Sequence, residues 1–300
     1  MAHASATLAA PSPQADRPAL GVLLMLGFCV TAPLSDALSK IAAGELPVIQ
    51  IVLIRFSVQA AVLIPLVAAT RGGVAMSALG WRLTAARTAL QVAGIWLMVK
   101  GLTHLPLADA VAIAFVMPFL LLLAGHWTGE AVGPRRLIAC ALGFAGTLMV
   151  MQPAFREVGW PVLYPLGVAV VFAAFMLVTR RLAREAGALA MQAHSGWMGA
   201  AALGLAYLAL PSLTLVPAAG LWPLLLAMAL MGTGGHLLMT WSLRHAPAAT
   251  LAPMQYLEIP VAALIGLALF GDWPNGLAMA GIAVTIVTGL YILWREARAP

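Results

Sequence analysis

Gly94 to Ala108 reads GIWLMVKGLTHLPLA, and Gly235 to Ala249 reads GHLLMTWSLRHAPAA. At one constant offset they share Gly, Leu, Met, Leu, His, Pro and Ala, seven of fifteen positions. The two stretches lie at matching points of the two halves of the chain. A duplicated half in a very apolar chain points to a membrane machine with its site between the copies. Whether the copies run the same way or oppositely through the bilayer then decides the fold.

Composition names the solvent. The chain has 300 residues, 63% hydrophobic and 9% charged, with a mean hydropathy of +0.99. A soluble domain is about 45–50% apolar and about 25% charged. The bilayer is therefore the solvent, and each span needs about 20 apolar residues. A formal charge of +6 would suggest nucleic acid in a soluble protein. Here the basic residues stand in short clusters between apolar runs, the pattern that sets membrane orientation. Lipid, not nucleic acid, is the expected surrounding. Cys29 and Cys140 fall inside apolar runs and read as small hydrophobes, not as a disulfide or a metal pair. Residues 1–18, rich in Ala, Ser and Pro, read as a disordered cytoplasmic tail. Only Arg17 precedes the first apolar run, and that run is long enough to span, which argues against a cleaved leader.

The pattern predicts an all-α membrane protein of ten transmembrane helices. They fall at about 19–41, 47–69, 84–104, 106–128, 135–152, 161–183, 188–210, 221–245, 248–270 and 276–294. Short connections carry Gly, Pro and charge, as in Gly129-Glu130, Gly133-Pro134 and Gly271-Asp272. With the N-terminus in the cytoplasm, twelve basic residues fall inside: Arg17, Arg71, Arg82, Arg87, Arg135, Arg136, Arg180, Arg181, Arg184, Arg244, Arg295 and Arg298. Only Lys40, Lys100 and Arg156 fall outside, and Arg55 lies within a span. The bias places both termini in the cytoplasm. Five spans per half is an odd number, so the second half enters from the opposite side. Residues 19–154 and 155–300 are then two inverted five-helix repeats, with the quoted turns on opposite faces of the inner membrane.

Two longer segments carry a family likeness. In the first, Pro106-Leu107-Ala108-Asp109-Ala110 leads to Met117-Pro118 and ends at Gly129-Glu130. In the second, Pro247-Ala248-Ala249-Thr250 leads to Glu258-Ile259-Pro260 and ends at Gly271-Asp272. With Arg55 in the second span, this order and duplication resembles the drug/metabolite transporter superfamily, in particular its EamA-type ten-helix carriers. Asp272 stands where Glu is commoner, and Glu258 stands two residues before its proline rather than next to it. The resemblance implies export or exchange of small metabolites through a cavity lined by helices 1 to 4 and 6 to 9. It extends to exporters of amino acids, aromatic ones included, and to carriers of nucleotide-derived or cofactor-like metabolites.

Charge inside a bilayer costs at least about 2.5–3.5 kcal/mol on insertion scales, so such groups face protein or water. Glu258 lies about ten residues into its span, near the midplane by helical rise. It reads as a substrate-amine or proton site, or as a structural hydrogen bond to backbone freed by Pro260. Arg55, also near mid-depth, reads as a substrate-carboxylate fork or as the partner of Asp36, and the internal pair is the stronger reading. Asp36 has two further readings: a second proton-coupling group beside Glu258, or the i,i+4 partner of Lys40. His194 and Trp197, and His236 and Trp241, read either as cavity-lining groups or as packing. Gln59, Gln91, Gln255, Tyr256 and Trp96 offer hydrogen bonds and aromatic faces for an amphiphilic metabolite. Pro33, Pro118, Pro253 and Pro260 are the expected bending points. Gly232-Thr233-Gly234-Gly235 permits close helix approach.

These residues point to a secondary carrier of small molecules, with amino acids the first substrate expected and no cofactor required. Enzymatic chemistry has no foothold in the sequence, which holds neither HExxH nor a serine constellation. Without a Walker A motif, direct coupling to ATP within the chain is not expected. A channel is disfavoured by the duplicated layout. No clear motif for dimerisation is legible, so the sequence leaves the oligomeric state open, a monomer being one reading.

Overall fold

Long apolar stretches bounded by Pro, Gly and Ser fold here as helices with little between them. The computed structural model describes residues 18–70, 76–117, 119–120, 134–182, 185–209, 217–245 and 255–296. Ten α-helices lie among these residues: α1 Pro18–Ala42, α2 Val48–Ala69, α3 Ala78–Leu102, α4 Leu107–Ala114, α5 Pro134–Val158, α6 Leu163–Leu182, α7 Ala188–Leu208, α8 Trp222–His245, α9 Glu258–Phe270 and α10 Gly276–Glu296. The segments Ala19–Ala42, Val48–Ala69, Trp160–Thr179 and Ala219–Ser242 are long and apolar enough to cross a membrane. The other helices are shorter or more polar. Helix α3 starts six residues before its expected boundary because Ser77 caps it, its Oγ accepting from the Gly80 amide at 3.0 Å.

The expectation of continuous fourth and ninth helices is corrected. Helix α4 ends at Ala114, Phe115 and Val116 form a turn, and helix resumes at Met117. In the second half Gln255 is helical, Tyr256 and Leu257 form a turn, and α9 begins at Glu258. Tight i→i−3 bonds replace the regular ladder there: Val116 N–H to the Ile113 carbonyl at 3.2 Å, and Ile259 N–H to the Tyr256 carbonyl at 3.3 Å. The offset that aligns Gly94 with Gly235 also aligns Phe115-Val116 with Tyr256-Leu257. The two helices thus break at equivalent places. The bend therefore lies before Pro260, which sits in the first turn of α9, where a missing N–H costs nothing. Helix α1 runs unbroken through Pro33. Pro118 and Pro253, Gly129-Glu130, the Pro247 to Thr250 segment and residues 1–17 lie outside the described residues.

The helices pair across the two halves of the chain. The most extensive packing joins α1 with α8, α2 with α7, α3 with α6 and α5 with α10, and α4 lies against α9. Exchanging first-half helices for their second-half counterparts maps this pattern onto itself. Helices α5 and α10 cross at Gly146 and Gly281, where a Cβ on either would meet the other's carbonyl oxygen at 2.9 or 2.5 Å. The aromatic rings of Phe115 and Tyr256, at equivalent positions in the two breaks, touch with centroids 5.3 Å apart. Equivalent residues that touch must lie near the axis that relates the halves.

Small residues set the α2–α7 spacing. A Cβ on Gly196 would sit 2.9 Å from the Ala60 amide nitrogen and 3.1 Å from its Cα, both backbone atoms that cannot swing aside. Gly196→Ala is expected to lower stability by about 1–3 kcal/mol. Gly204→Ala, whose Cβ would find the nearest side chain 4.0 Å away, is expected to be neutral or stabilising by helix propensity. Thermal unfolding of both variants in the same detergent checks the contrast; an equal loss in both would refute it.

Candidate functional site

The breaks in α4 and α9 open a cavity at the centre of the bundle, of about 150 Å³. Its polar lining comes from Asp36 of α1, Arg55 of α2, Gln91 of α3, His236 of α8, and Gln255 and Glu258 at the second break. Phe28, Met98, Phe115, Met117 and Phe172 supply apolar wall. Met117 and Glu258 are equivalent positions in the two halves, so the site is asymmetric where the scaffold is symmetric. A pocket that engulfs a small organic ligand measures about 300–1,000 Å³. The cavity described here is smaller, so its helices would have to part for a ligand of that size to fit.

Each polar group is placed by its local structure. Glu258 is half-buried in the first turn of α9, where the Ile259 and Val261 amides already donate to the Tyr256 and Leu257 carbonyls. Arg55 is buried, with Nη1 3.7 Å from Asp36 Oδ1 and donating to Ser39 Oγ at 3.2 Å. Asp36 and Ser39 stand three apart on α1, which brings both to one guanidinium. The internal Arg55–Asp36 pair is thus the arrangement found. Ser39 donates to the Ser35 carbonyl at 2.7 Å, and Ser35 donates across to the Met228 carbonyl of α8 at 2.9 Å. Gly232 lets α8 come this close: a Cβ there would meet Arg55 Nη2 at 2.6 Å. One helical turn on, His236 presents an Nδ1 that is buried and makes no hydrogen bond.

Lys40 does not pair with Asp36. Its Nζ donates to the Leu105 carbonyl at 2.9 Å and to Asp272 Oδ2 at 3.2 Å, and lies 4.7 Å from the centre of the Phe270 ring. Asp272 is delivered by the end of α9. Gly271 takes a left-handed φ of 71°, and the Asp272 amide turns back to the Gly266 carbonyl at 3.2 Å. The cluster ties α1, the α3–α4 turn and the α9–α10 turn together at one end of the bundle. At another point Ser77 donates to Glu185 at 2.7 Å, joining the start of α3 to the α6–α7 connection.

Asp36, Arg55, Gln91, His236, Gln255 and Glu258 come together; the other expected site residues lie elsewhere. Gln59 donates to the Gln192 carbonyl at 2.7 Å and ties α2 to α7. Tyr256 is buried against Phe115 behind the cavity wall. His194 accepts from Trp197 Nε1 at 3.2 Å and meets the edge of Trp81 at 5.0 Å, on the bundle surface. Trp241 packs on Leu63, Ala193 and Leu237. Trp96 lines a lateral apolar groove between α3 and α7 and contacts Tyr164.

Arg87 is the group that the charge count misplaced. It is not an inner-surface residue; it is 2% exposed, within α3. Its Nε donates to Thr179 Oγ1 at 3.1 Å, Nη1 to Ser195 Oγ at 2.6 Å, and Nη2 to Gln192 Oε1 at 2.9 Å. The guanidinium carbon stands 4.6 Å from the centre of the Phe175 ring. The signal was present in the sequence. Thr84, Arg87, Thr88 and Gln91 form a stripe at helical spacing within an apolar segment, and all four are buried.

With this geometry in hand, similarity to known proteins is informative. The model of the EamA-like transporter family matches twice, over residues 19–152 and 159–295. A riboflavin transporter of Rhizobium johnstonii is 30% identical over 71% of this chain and 70% of its own length. An S-adenosylmethionine uptake transporter of Rickettsia prowazekii is 24% identical over 93% of this chain and 94% of its own. A pseudopaline exporter of Pseudomonas aeruginosa is 28% identical over 89% of this chain and 93% of its own. A solved crystal structure aligns with a TM-score of 0.65 at 20% identity, covering 94% of this chain and 98% of the other, which establishes the likeness of fold.

Proposed function

The chain belongs to the EamA-like transporter family of multi-pass membrane proteins, and from that premise we propose that it is a secondary carrier moving a small metabolite across the inner membrane by alternating access. The observation that carries the reading is the central cavity at two equivalent helix breaks. Interrupted helices near the midplane are where repeat-built carriers place their sites. The proposed topology has ten spans in two inverted repeats with both termini cytoplasmic. It is supported by the helix pairing and by the two family matches. Contacts among connections agree with it too: Lys40, Leu105 and Asp272 share one face, and Ser77 and Glu185 share the other.

Amino acids are the first proposed substrate class. Glu258 suits an amine, and the aromatic wall of Phe28, Phe115 and Phe172 suits an apolar side chain. A second reading, a cofactor-like or nucleotide-derived metabolite, is favoured by the named substrates of two relatives. Export is the proposed direction, on the family resemblance. The names of relatives include both uptake and export, so the gradient rather than the fold is proposed to set it.

Proteoliposomes given labelled amino acids, riboflavin or S-adenosylmethionine on the outside test the reading. Saturable uptake with counterflow for one class is expected. Linear, non-saturating flux would identify a channel, and saturable flux of riboflavin or S-adenosylmethionine alone would replace the amino-acid assignment.

A further inference from the structure

Gln91 is 3% exposed and lines the central cavity, yet its Nε2 is buried without a hydrogen-bond partner. Leaving a buried donor unpaired costs about 1–3 kcal/mol, so such a group in a cavity wall calls for an acceptor from outside the protein. The amide cannot relieve the cost by flipping. Its Oε1 lies 3.5 Å from Arg87 Nη1. That contact is long, but a guanidinium has only donors, so a flipped amide would set N–H against N–H. Oε1 stays toward Arg87, and Nε2 stays on the side of the amide away from it.

Arg87 is itself fixed. Thr179 of α6 and Gln192 and Ser195 of α7 hold three of its nitrogens, and the Phe175 ring covers one face. Among the described residues no carboxylate lies within ion-pair distance of it, whereas Arg55 has Asp36 and Lys40 has Asp272. The cavity lining therefore carries two unlike groups. Glu258 stands at the second helix break, and Gln91 stands on α3 with an unneutralised cation behind it.

We propose that Gln91 is a specificity-determining residue that donates to a carboxylate or carbonyl oxygen of the transported molecule, and that Arg87 is the positioning residue that turns and polarises it. The proposal rests on the carrier reading above and adds to it a stated polarity. The substrate's acceptor group faces α3, and a cationic or donor group faces Glu258.

The test begins without any substrate. In a chain with Cys29→Ala and Cys140→Ala, Gln91→Cys is reacted with an anionic sulfonatoethyl and a cationic aminoethyl methanethiosulfonate. The thiol is expected to react, and the anionic-to-cationic rate ratio is expected to fall about tenfold when Arg87→Gln is added. An unreactive thiol, or a ratio indifferent to Arg87→Gln, would overturn the proposal. Should Arg87→Gln not fold, Met98→Cys replaces it as the reference. Met98 lines the same cavity two turns further along α3, and a ratio no higher at 91 than at 98 overturns the proposal as well. The second arm is transport of phenylalanine and of phenethylamine, which lacks the carboxylate. Gln91→Met is expected to raise the KM for phenylalanine about tenfold and to leave that for phenethylamine unmoved. Equal effects on both would reduce Gln91 to a structural residue. Absence of saturable transport for any compound tried would count against the carrier reading, while the thiol arm decides the polarity of the cavity separately.

Discussion

A Glu258→Gln protein is expected to lose substrate accumulation driven by a pH gradient while keeping exchange. Glutamine has the shape of a protonated glutamate and cannot release a proton. If Glu258 carries the coupling proton, the variant still passes through both orientations of the carrier. It no longer draws on the gradient. One pH unit supplies about 1.36 kcal/mol per proton, enough for about tenfold accumulation of a neutral substrate with one-to-one coupling. That tenfold ratio is expected to collapse to equality in proteoliposomes, with counterflow retained at saturating substrate, because the same side chain is the proposed amine site and its loss raises the KM. A variant that accumulates substrate as well as the parent, with the same response to pH, would exclude Glu258 as the coupling group. Asp36 would then be the next carboxylate to substitute, since it lines the same cavity.

The second large effect is expected at Arg55. Its guanidinium is buried and has Asp36 at 3.7 Å and Ser39 at 3.2 Å. Arg55→Met leaves the Asp36 carboxylate inside the bundle without its partner. Removing one member of a buried pair costs about 3–5 kcal/mol, chiefly the penalty of the charge left behind. The double variant Asp36→Asn, Arg55→Met removes that charge too and is expected to recover most of the loss. A thermal-unfolding cycle over parent, both single variants and the double measures the coupling. Additive losses would show that the pair contributes no interaction energy.

The all-helical membrane character and the duplication were legible because hydrophobic length and an internal repeat are one-dimensional signals. The interruption of α4 and α9 was not. Met117-Pro118 and Glu258-Ile259-Pro260 announce a bend by their prolines, yet the second-half turn falls at Tyr256-Leu257, before Pro260. A proline tells that regular hydrogen bonding ends nearby; tertiary packing decides at which residue. The site was half legible for a related reason. Glu258, Asp36 and Arg55 stand out because charge is expensive in lipid wherever it points. His194, Trp197, Trp241 and Trp96 are uncharged, and an uncharged polar or aromatic group suits a helix surface and a cavity equally well. Only the rotation of each helix separates the two, and the sequence of one helix does not contain its neighbours. Arg87 was lost by the opposite error. It stands five residues after Arg82 and was counted with it as surface charge, although the buried stripe through Thr84, Thr88 and Gln91 marks it as interior.

The cross-half pairing of helices has a consequence for ancestry. The most extensive packing partner of each of α1, α2, α3 and α5 belongs to the other half of the chain. A half-length polypeptide of this kind would have no partner for those faces within itself. It would need a second copy to cover them. Fusion of two such genes frees each copy to diverge, and a methionine on one side with a glutamate on the other, as at Met117 and Glu258, becomes permissible. Co-expressing residues 1–158 and 159–300 as separate polypeptides should then restore a working complex, while either piece alone should not accumulate.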